Sequence, residues 1–435
     1  MSVFAAVRHF IPASLRGGRS AYPVLSAARR LDPPAKTVLY EALLPRFSPE
    51  VAQALTVKIL NLFLARRHQQ ARSVAVTSRP LGLVVDPSNM CRLACPGCVH
   101  SEHNEALKLF DWPNGTLAEA RFAALLQLYG PYAVGVYFCN YGEPLLNLAT
   151  PRLIRLAKTH LLHTALSTSL SVSRFDAEAY AASGLDFMVI SIDGATQAVY
   201  QQFRRNGDLE LALANVRSLV EAKRRLRKRT PLLSWNFLAF EHNAHEIPDA
   251  ARLARSLGVD FFRIVNPFDV GWDDPAIRAA NVPGRVHRLT WSSVVAEAAN
   301  WNPFPGEVDT SSIARAFDGS WIPPADAPHP GHTCHWLYQN MVMDSTGRIL
   351  PCCGGPPAGG GLNFGRFDGA GDPFNSERYR HARAGFAGLP VESSSPPHCQ
   401  SCEWDHTSVN IGPPEIRRYF RAADPAYFDR RSLAL

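Results

Sequence analysis

Three cysteines, Cys91, Cys95 and Cys98, stand at C-x3-C-x2-C spacing in Asp86-Pro-Ser-Asn-Met-Cys91-Arg-Leu-Ala-Cys95-Pro-Gly-Cys98, directly after the apolar run Leu81-Gly-Leu-Val-Val85. Thiolate is the soft ligand that iron–sulfur clusters take, and cysteines this close let one loop wrap a single cluster. A [4Fe–4S] cluster held by three cysteines keeps one iron open, and an open site at a metal is where a small molecule binds and reacts. Two plainer readings share the spacing: three reduced thiols, or a structural zinc completed by His100 or His103.

A second group of cysteines lies far downstream. Cys334 precedes Met341-Val-Met-Asp-Ser-Thr-Gly-Arg-Ile-Leu-Pro-Cys352-Cys353, two strand-like runs about the turn Asp344–Gly347, and Cys399-Gln-Ser-Cys402 follows. Four of these five thiolates would close a [4Fe–4S] cluster completely; a structural zinc is the plainer alternative. Cys353 competes with Cys352 for one of these places. Nine cysteines without a cleavable signal pattern read as a cytoplasmic, metal-binding chain rather than a disulfide framework.

The elements that must position these residues alternate in type. Strand-like runs at Leu81–Val85, Ala133–Phe138, Thr164–Ser167, Phe187–Ile192 and Leu232–Phe240 are each followed by a helical stretch: Leu117–Leu128, Leu153–Thr159, Asp176–Ser183, Leu209–Arg227 and Glu246–Leu257. Phe261–Val265 closes the series. Such βα alternation implies a parallel sheet with helices outside, a barrel or a doubly wound sheet. In a parallel barrel the chemistry gathers at the carboxyl ends of the strands. Cys91–Cys98, Asn140–Pro144, Ser167–Ser169, Ser191–Asp193 and Asn266 all fall there, so the pattern predicts that they share one mouth.

A composition of 46% hydrophobic and 19% charged residues supplies a large core and excludes a disordered chain. The net charge of +7 suits an ordinary basic enzyme. Residues 1–31 lack Asp and Glu and carry Arg8, Arg16, Arg19, Arg29 and Arg30, but Pro12, Gly17, Gly18 and Pro23 break any long amphipathic helix. This reads as a basic arm, followed by a helix over Ser48–Gln70 whose apolar run Ile59–Ala65 is too short to span a bilayer. The run Lys223-Arg-Arg-Leu-Arg-Lys-Arg229 ends a predicted helix, where cations complement the dipole. No interleaved aromatics accompany it, so no nucleic-acid partner is expected.

The ordered motifs resemble the radical S-adenosylmethionine (radical SAM) superfamily. The cysteine loop matches its C-x3-C-x2-C motif, and Asn140-Tyr-Gly-Glu-Pro144 its GGEP segment with Tyr141 in place of the first Gly. Leu166-Ser-Thr-Ser-Leu170 stands where a Thr-Asn-Gly is common, Val189-Ile-Ser-Ile-Asp-Gly194 with Tyr200 and Arg204 is similar to the S-x-D-G strand end, and Glu241–Glu246 to an N-x-x-E turn. The resemblance implies a partial (β/α)6 TIM-like barrel, a SAM-binding [4Fe–4S] cluster on Cys91, Cys95 and Cys98, and a 5′-deoxyadenosyl radical that abstracts hydrogen from a substrate C–H. It implies that Tyr141, Gly142 and Glu143 hold the methionine amine, Ser191 and Arg204 its carboxylate, and Thr168 or Ser169 the ribose. A reductant such as flavodoxin or ferredoxin is the implied partner.

The downstream cysteines resemble a SPASM/Twitch auxiliary-cluster module, which implies a small C-terminal cysteine-rich α+β domain with a second [4Fe–4S] cluster on Cys334, Cys352, Cys399 and Cys402. The organisation expected is an arm and helical extension at 1–78, the barrel at 79–268, a Trp- and Pro-rich linker at 269–330, the auxiliary domain at 331–410 and a tail at 411–435. Without the alternating strands of a leader-binding domain in residues 1–80, the expected substrate is a carbohydrate-like or other small molecule, with a ribosomally made peptide as the alternative. A non-enzymatic iron–sulfur electron-transfer protein is the rival class.

Overall fold

In the central strands, buried residues alternate with half-buried ones. This is the mark of a sheet with a packed helical layer on one face and an open lumen on the other. The computed structural model describes residues 49–101, 114–267, 274–289, 334–352, 363–391 and 399. Its βα series runs β1 (Gly82–Val85), α2 (Glu119–Tyr129), β2 (Gly135–Phe138), α3 (Thr150–Thr159), β3 (His163–Thr168), α4 (Ala177–Ala182), β4 (Phe187–Ser191), α5 (Gln197–Phe203), α6 (Leu209–Arg225), β5 (Leu232–Leu238), α7 (Ile247–Leu257) and β6 (Phe261–Val265). A helix α1 (Pro49–Ala71) precedes them; β7 (Arg285–Arg288), α8 (His335–Gln339), β8 (Asn340–Met343), β9 (Ile349–Leu350) and α9 (Glu377–Phe386) follow.

Local chemistry sets several boundaries. Asp176 caps α4 by accepting from Ala179 N at 2.8 Å, and Asp208 caps α6 by accepting from Leu211 N at 2.9 Å. Gly258 ends α7 with φ of 82°, a left-handed turn that suits glycine. Among the described residues the sheet has nine strands in the order β7-β6-β5-β4-β3-β2-β1-β8-β9 and does not close. Strands β1 to β6 pair in parallel, as the βα alternation requires, while β7 is antiparallel to β6.

The packed side of the sheet presents Val85, Phe138, Leu166, Ile190, Trp235 and Phe262 to Phe122, Leu126, Ile154, Val216 and Leu219 of the helices. Each such side chain, buried fully, contributes about 1.5–3 kcal/mol. On the opposite side Phe187, Leu232 and Phe261 pack together at the amino-terminal end of the strands and floor the lumen. Above that floor the lumen face carries Val84, Tyr137, Ala165, Ser167, Val189, Ser191, Asn236 and Arg263 by strict alternation.

The hairpin expected in the small C-terminal domain continues the barrel sheet. Strand β8 pairs in parallel with β1, from Gly82↔Asn340 to Val85↔Met343, and β9 returns antiparallel to it. The reason is β8's own period: Met341 and Met343 join the main core, while Val342 meets Val84 on the other face. Arg383 of α9 anchors this junction. It is fully buried, donates to Leu337 O at 2.9 Å and Phe374 O at 2.8 Å, and its guanidinium carbon lies 4.7 Å from the Phe374 ring centroid. Helix α1 docks through another buried cation, Lys58, whose Nζ donates to the carbonyls of Gly130 and Ala133 just past α2. Among the described residues no helix is long and apolar enough to cross a membrane.

Candidate active site

The loops after β1 to β5 meet at one end of the barrel, as the sequence pattern requires. Asp86 follows β1, and its buried carboxylate accepts from Tyr141 N at 3.0 Å and from Gly142 N at 3.4 Å. Burial pushes its pKa up to about 7; the N–H groups of Tyr141 and Gly142 work the other way, and Asp344 adds to the rise. In a trans peptide the carbonyl points away from the N–H of the next residue. The Tyr141 carbonyl therefore turns from Asp86, and it accepts from His100 Nε2 at 2.8 Å. A Cβ on Gly142 would stand 1.9 Å from Ser88 O, so only glycine lets this loop lie against the one that leads to the cysteines. Glu143 N completes the tie by donating to Met90 O at 2.8 Å.

The Glu143 side chain joins the ends of β2 and β3. One carboxylate oxygen accepts from Thr168 Oγ1 at 2.6 Å; the other accepts from Ser169 N at 2.9 Å and Ser169 Oγ at 2.8 Å. Burial raises the Glu143 pKa, and these donors oppose the rise. Where a Thr-Asn-Gly is common, this chain has Thr168-Ser169-Leu170, and Leu170 adopts φ of 55° while fully buried. The left-handed backbone is thus held here without a glycine. Asn215 of α6 supports it by donating to Leu170 O at 2.8 Å and Val172 O at 2.9 Å.

Cys95 is buried, and Cys91 and Cys98 pack partly buried against the same apolar group of Leu93, Phe203, Phe240 and Ile277. Burial pushes the Cys91 thiol up to about 12, with Glu143 adding to the rise. It pushes Cys95 up to about 11, against the pull of Arg204. Bare thiols here stay protonated, whereas a thiophilic metal centre stabilises the thiolates. A soft donor set in an apolar wall, with a guanidinium beside one sulfur, fits an iron–sulfur cluster.

Arg204 supplies that guanidinium. Its Nε donates to Asp193 Oδ2 at 2.6 Å, and its Nη1 lies 3.8 Å from Cys95 Sγ. Burial works against the Arg204 charge, but Asp193 and Cys95 beside it carry its pKa above the ordinary value. Asp193, just past β4, accepts from Leu238 N at 2.7 Å as well. The N-x-x-E turn braces the same corner. Asn243 Nδ2 donates to Asp193 O and Leu238 O, both at 2.9 Å, and Glu246 accepts from Ala195 N and Thr196 Oγ1, both at 2.6 Å.

Of the residues predicted for the mouth, the Cys91–Cys98 loop, Asn140–Pro144, Ser167–Ser169 and Ser191–Asp193 are found together, while Asn266, just past β6, is exposed. Tyr141 and Gly142 turn their N–H groups onto Asp86, Thr168 and Ser169 donate to Glu143, and Ser191 ends β4 on the lumen face across from Asn236. Sequence reasoning gave Asp86 and Arg263 no role and weighed His100 only as a zinc ligand, whereas its ring binds the Tyr141 carbonyl. Asp86 was readable as a carboxylate placed one residue beyond a strand end. In the C-terminal group, Cys334, Cys352 and Cys399 all act on the buried phenol of Tyr379, whose pKa is raised first by burial and then by these cysteines. Cys353 and Cys402 lie outside the described residues.

Residues 85–254 match the family described as the Radical SAM superfamily. The chain is 26% identical over 282 residues to the PqqA peptide cyclase of Gluconobacter oxydans (strain 621H), covering 64% of this chain and 72% of that protein. It is 24% identical over 328 residues to the PqqA peptide cyclase of Xanthomonas campestris pv. campestris (strain 8004), covering 74% of this chain and 79% of that one. Among solved structures, Streptococcus suis SuiB bound to precursor peptide SuiA overlays with a TM-score of 0.47 at 16% identity, over 82% of this chain and 76% of that one. The match identifies residues 85–254, with the cysteine loop at the end of β1 and the open parallel sheet around it, as a radical SAM domain, and this chain as a SAM-dependent enzyme with a [4Fe–4S] cluster.

Proposed function

We propose that this enzyme modifies a ribosomally made peptide, taking hydrogen from a peptide C–H to form a new bond. The observation that supports this is the pair of curated relatives named PqqA peptide cyclase, which this chain matches over 72% and 79% of their lengths. The carbohydrate-like substrate expected from the sequence gives way to this alternative. That expectation rested on missing strands in residues 1–80, and a peptide can be held by the barrel mouth without a dedicated leader domain.

In this reading Cys91, Cys95 and Cys98 hold the cluster. Bound there, it supplies the electron that splits SAM and thereby an oxidising carbon radical that takes hydrogen from the substrate. Arg204 steadies the Cys95 thiolate and offers its remaining N–H groups to the methionine carboxylate, with Ser191 nearby on the lumen face. Asp86 and His100 fix the Tyr141–Gly142 backbone that receives the methionine amine. Glu143 locks Thr168 and Ser169 at the neighbouring strand end, so the loops that surround the cofactor stay in register. Cys334, Cys352, Cys399 and Cys402 would close a second, fully ligated cluster, and a flavodoxin or ferredoxin would deliver the reducing electron.

The test uses anaerobically purified full chain. With reductant and SAM it is expected to make 5′-deoxyadenosine, and a short peptide encoded beside its gene is expected to lose a pair of hydrogens by mass. No mass change in that peptide, with turnover of a sugar in its place, overturns the peptide reading. Replacing Cys91, Cys95 and Cys98 by Ala is expected to remove about four irons per chain and all SAM cleavage. Replacing Cys334, Cys352, Cys399 and Cys402 should leave about four irons of the original eight; one zinc at that group instead would mark it as a structural staple.

A further inference from the structure

Strands β1 to β6 carry a single Arg or Lys among them, Arg263 at the centre of β6. Its neighbours Phe262 and Ile264 pack into the helical layer, so Arg263 turns into the lumen, one pleat above the floor at Phe261. Burial lowers its pKa, and the phenol of Tyr137 on β2 acts the other way. Three strands separate β2 from β6 in the sheet, so these two side chains sense each other across the lumen. Among the described residues Arg263 has no ion pair, and its buried Nε has no hydrogen-bond partner. Two other arginines that are partly or fully buried have partners: Arg204 has Asp193, and Arg383 has the carbonyls of Leu337 and Phe374.

A guanidinium half withdrawn from water with its buried Nε unpartnered costs free energy that an arriving anion recovers, and its planar fork matches a carboxylate with two parallel hydrogen bonds. Two neutral groups flank it. Asn236 is its register partner on β5 and accepts from Ser234 Oγ at 3.1 Å through Oδ1, which leaves its amide N–H groups to donate. Tyr137 stands opposite. We propose that Arg263, flanked by Asn236 and Tyr137, anchors a carboxylate of the substrate within the lumen, setting the adjoining carbons on the side of the cysteine loop. The source of the carboxylate, an acidic side chain or a chain terminus, rests on the peptide reading; the anion site itself does not.

Two measurements separate these claims. On the full, cluster-loaded chain, phenylglyoxal modification is mapped by mass spectrometry with and without glutarate. Glutarate is expected to slow modification of Arg263, and its neutral analogue glutaramide is not. An Arg263 that never reacts, or that glutarate fails to protect, overturns the proposal. Second, binding is measured for a short-peptide library in matched pairs, with Glu against Gln, Asp against Asn, and a free against an amidated terminus. Wild type should prefer one class of acid by roughly tenfold or more, the pair identifying the source, and Arg263→Met should erase the preference while Arg263→Lys keeps part of it. SAM affinity should stay unchanged in both variants; a loss there assigns the guanidinium to the cofactor and overturns the proposal. Protection by glutarate without any peptide binding would keep the anion site and sink the peptide reading.

Discussion

Arg204 links Asp193 at the end of β4 to Cys95 in the loop after β1, with Nε 2.6 Å from the carboxylate and Nη1 3.8 Å from the sulfur. One side chain thus couples the S-x-D-G strand end to the cysteine motif. Removing it leaves Asp193, which has no exposed surface, as a buried charge without its cation. Arg204→Ala is expected to cost about 3–5 kcal/mol of stability before any cofactor is added, read by denaturant unfolding. Its SAM dissociation constant is expected to rise as well. A variant as stable as wild type would show that the ion pair is not what holds this corner.

Glu143 tests the tie between β2 and β3. In Glu143→Gln one oxygen becomes an amide N–H₂ and faces Thr168 Oγ1 or the Ser169 donors, which gave hydrogen bonds of 2.6 to 2.9 Å to the carboxylate. The expected loss is about 1–3 kcal/mol, with weaker SAM binding and unchanged iron content. Loss of iron together with SAM binding would instead make Glu143 part of cluster assembly.

At the opposite end of the barrel, Asp186 gives a pH dependence that has nothing to do with chemistry. Burial opposes its charge, but His163 and Lys158 override that and hold its carboxyl well below the usual range. Lys158 Nζ lies 2.6 Å away, and Thr164 donates through N at 2.8 Å. A depressed carboxyl contributes stability in full above the unfolded value of about 3.9 and loses it as pH falls through the folded one. Asp186→Asn should therefore lower the melting temperature at neutral pH and flatten its fall below about pH 4. Parallel acid limbs for the two proteins would refute the assignment.

Leu170 sets two opposing effects against each other. Glycine would relieve the left-handed backbone, worth roughly 1–2 kcal/mol, but would remove a fully buried side chain from the core, which costs about 2–5 kcal/mol. The cavity wins, so Leu170→Gly is expected to unfold at lower denaturant concentration than wild type. A stabilised variant would show the strain to be the larger effect.

The sequence by itself determined what is local and periodic. The βα order, most strand positions to within a residue or two, and the gathering of Cys91–Cys98, Asn140–Pro144 and Ser191 at one mouth follow from alternating apolar residues and from motif spacing. The rule that parallel strands share a chemical end did the rest. Tertiary structure alone decided what depends on partners distant in the chain. Nothing near Met341–Met343 says that its strand will lie beside β1, because a short β-period is satisfied by any edge of matching pattern. Nothing near Asp86 announces that its carboxylate will fasten a loop at Tyr141 and Gly142. The same holds for Arg263: its inward face follows from strand alternation, but its lack of an ion pair among the described residues, across from Tyr137, exists only once the sheet curls, because such a charge is defined by every group that fails to reach it.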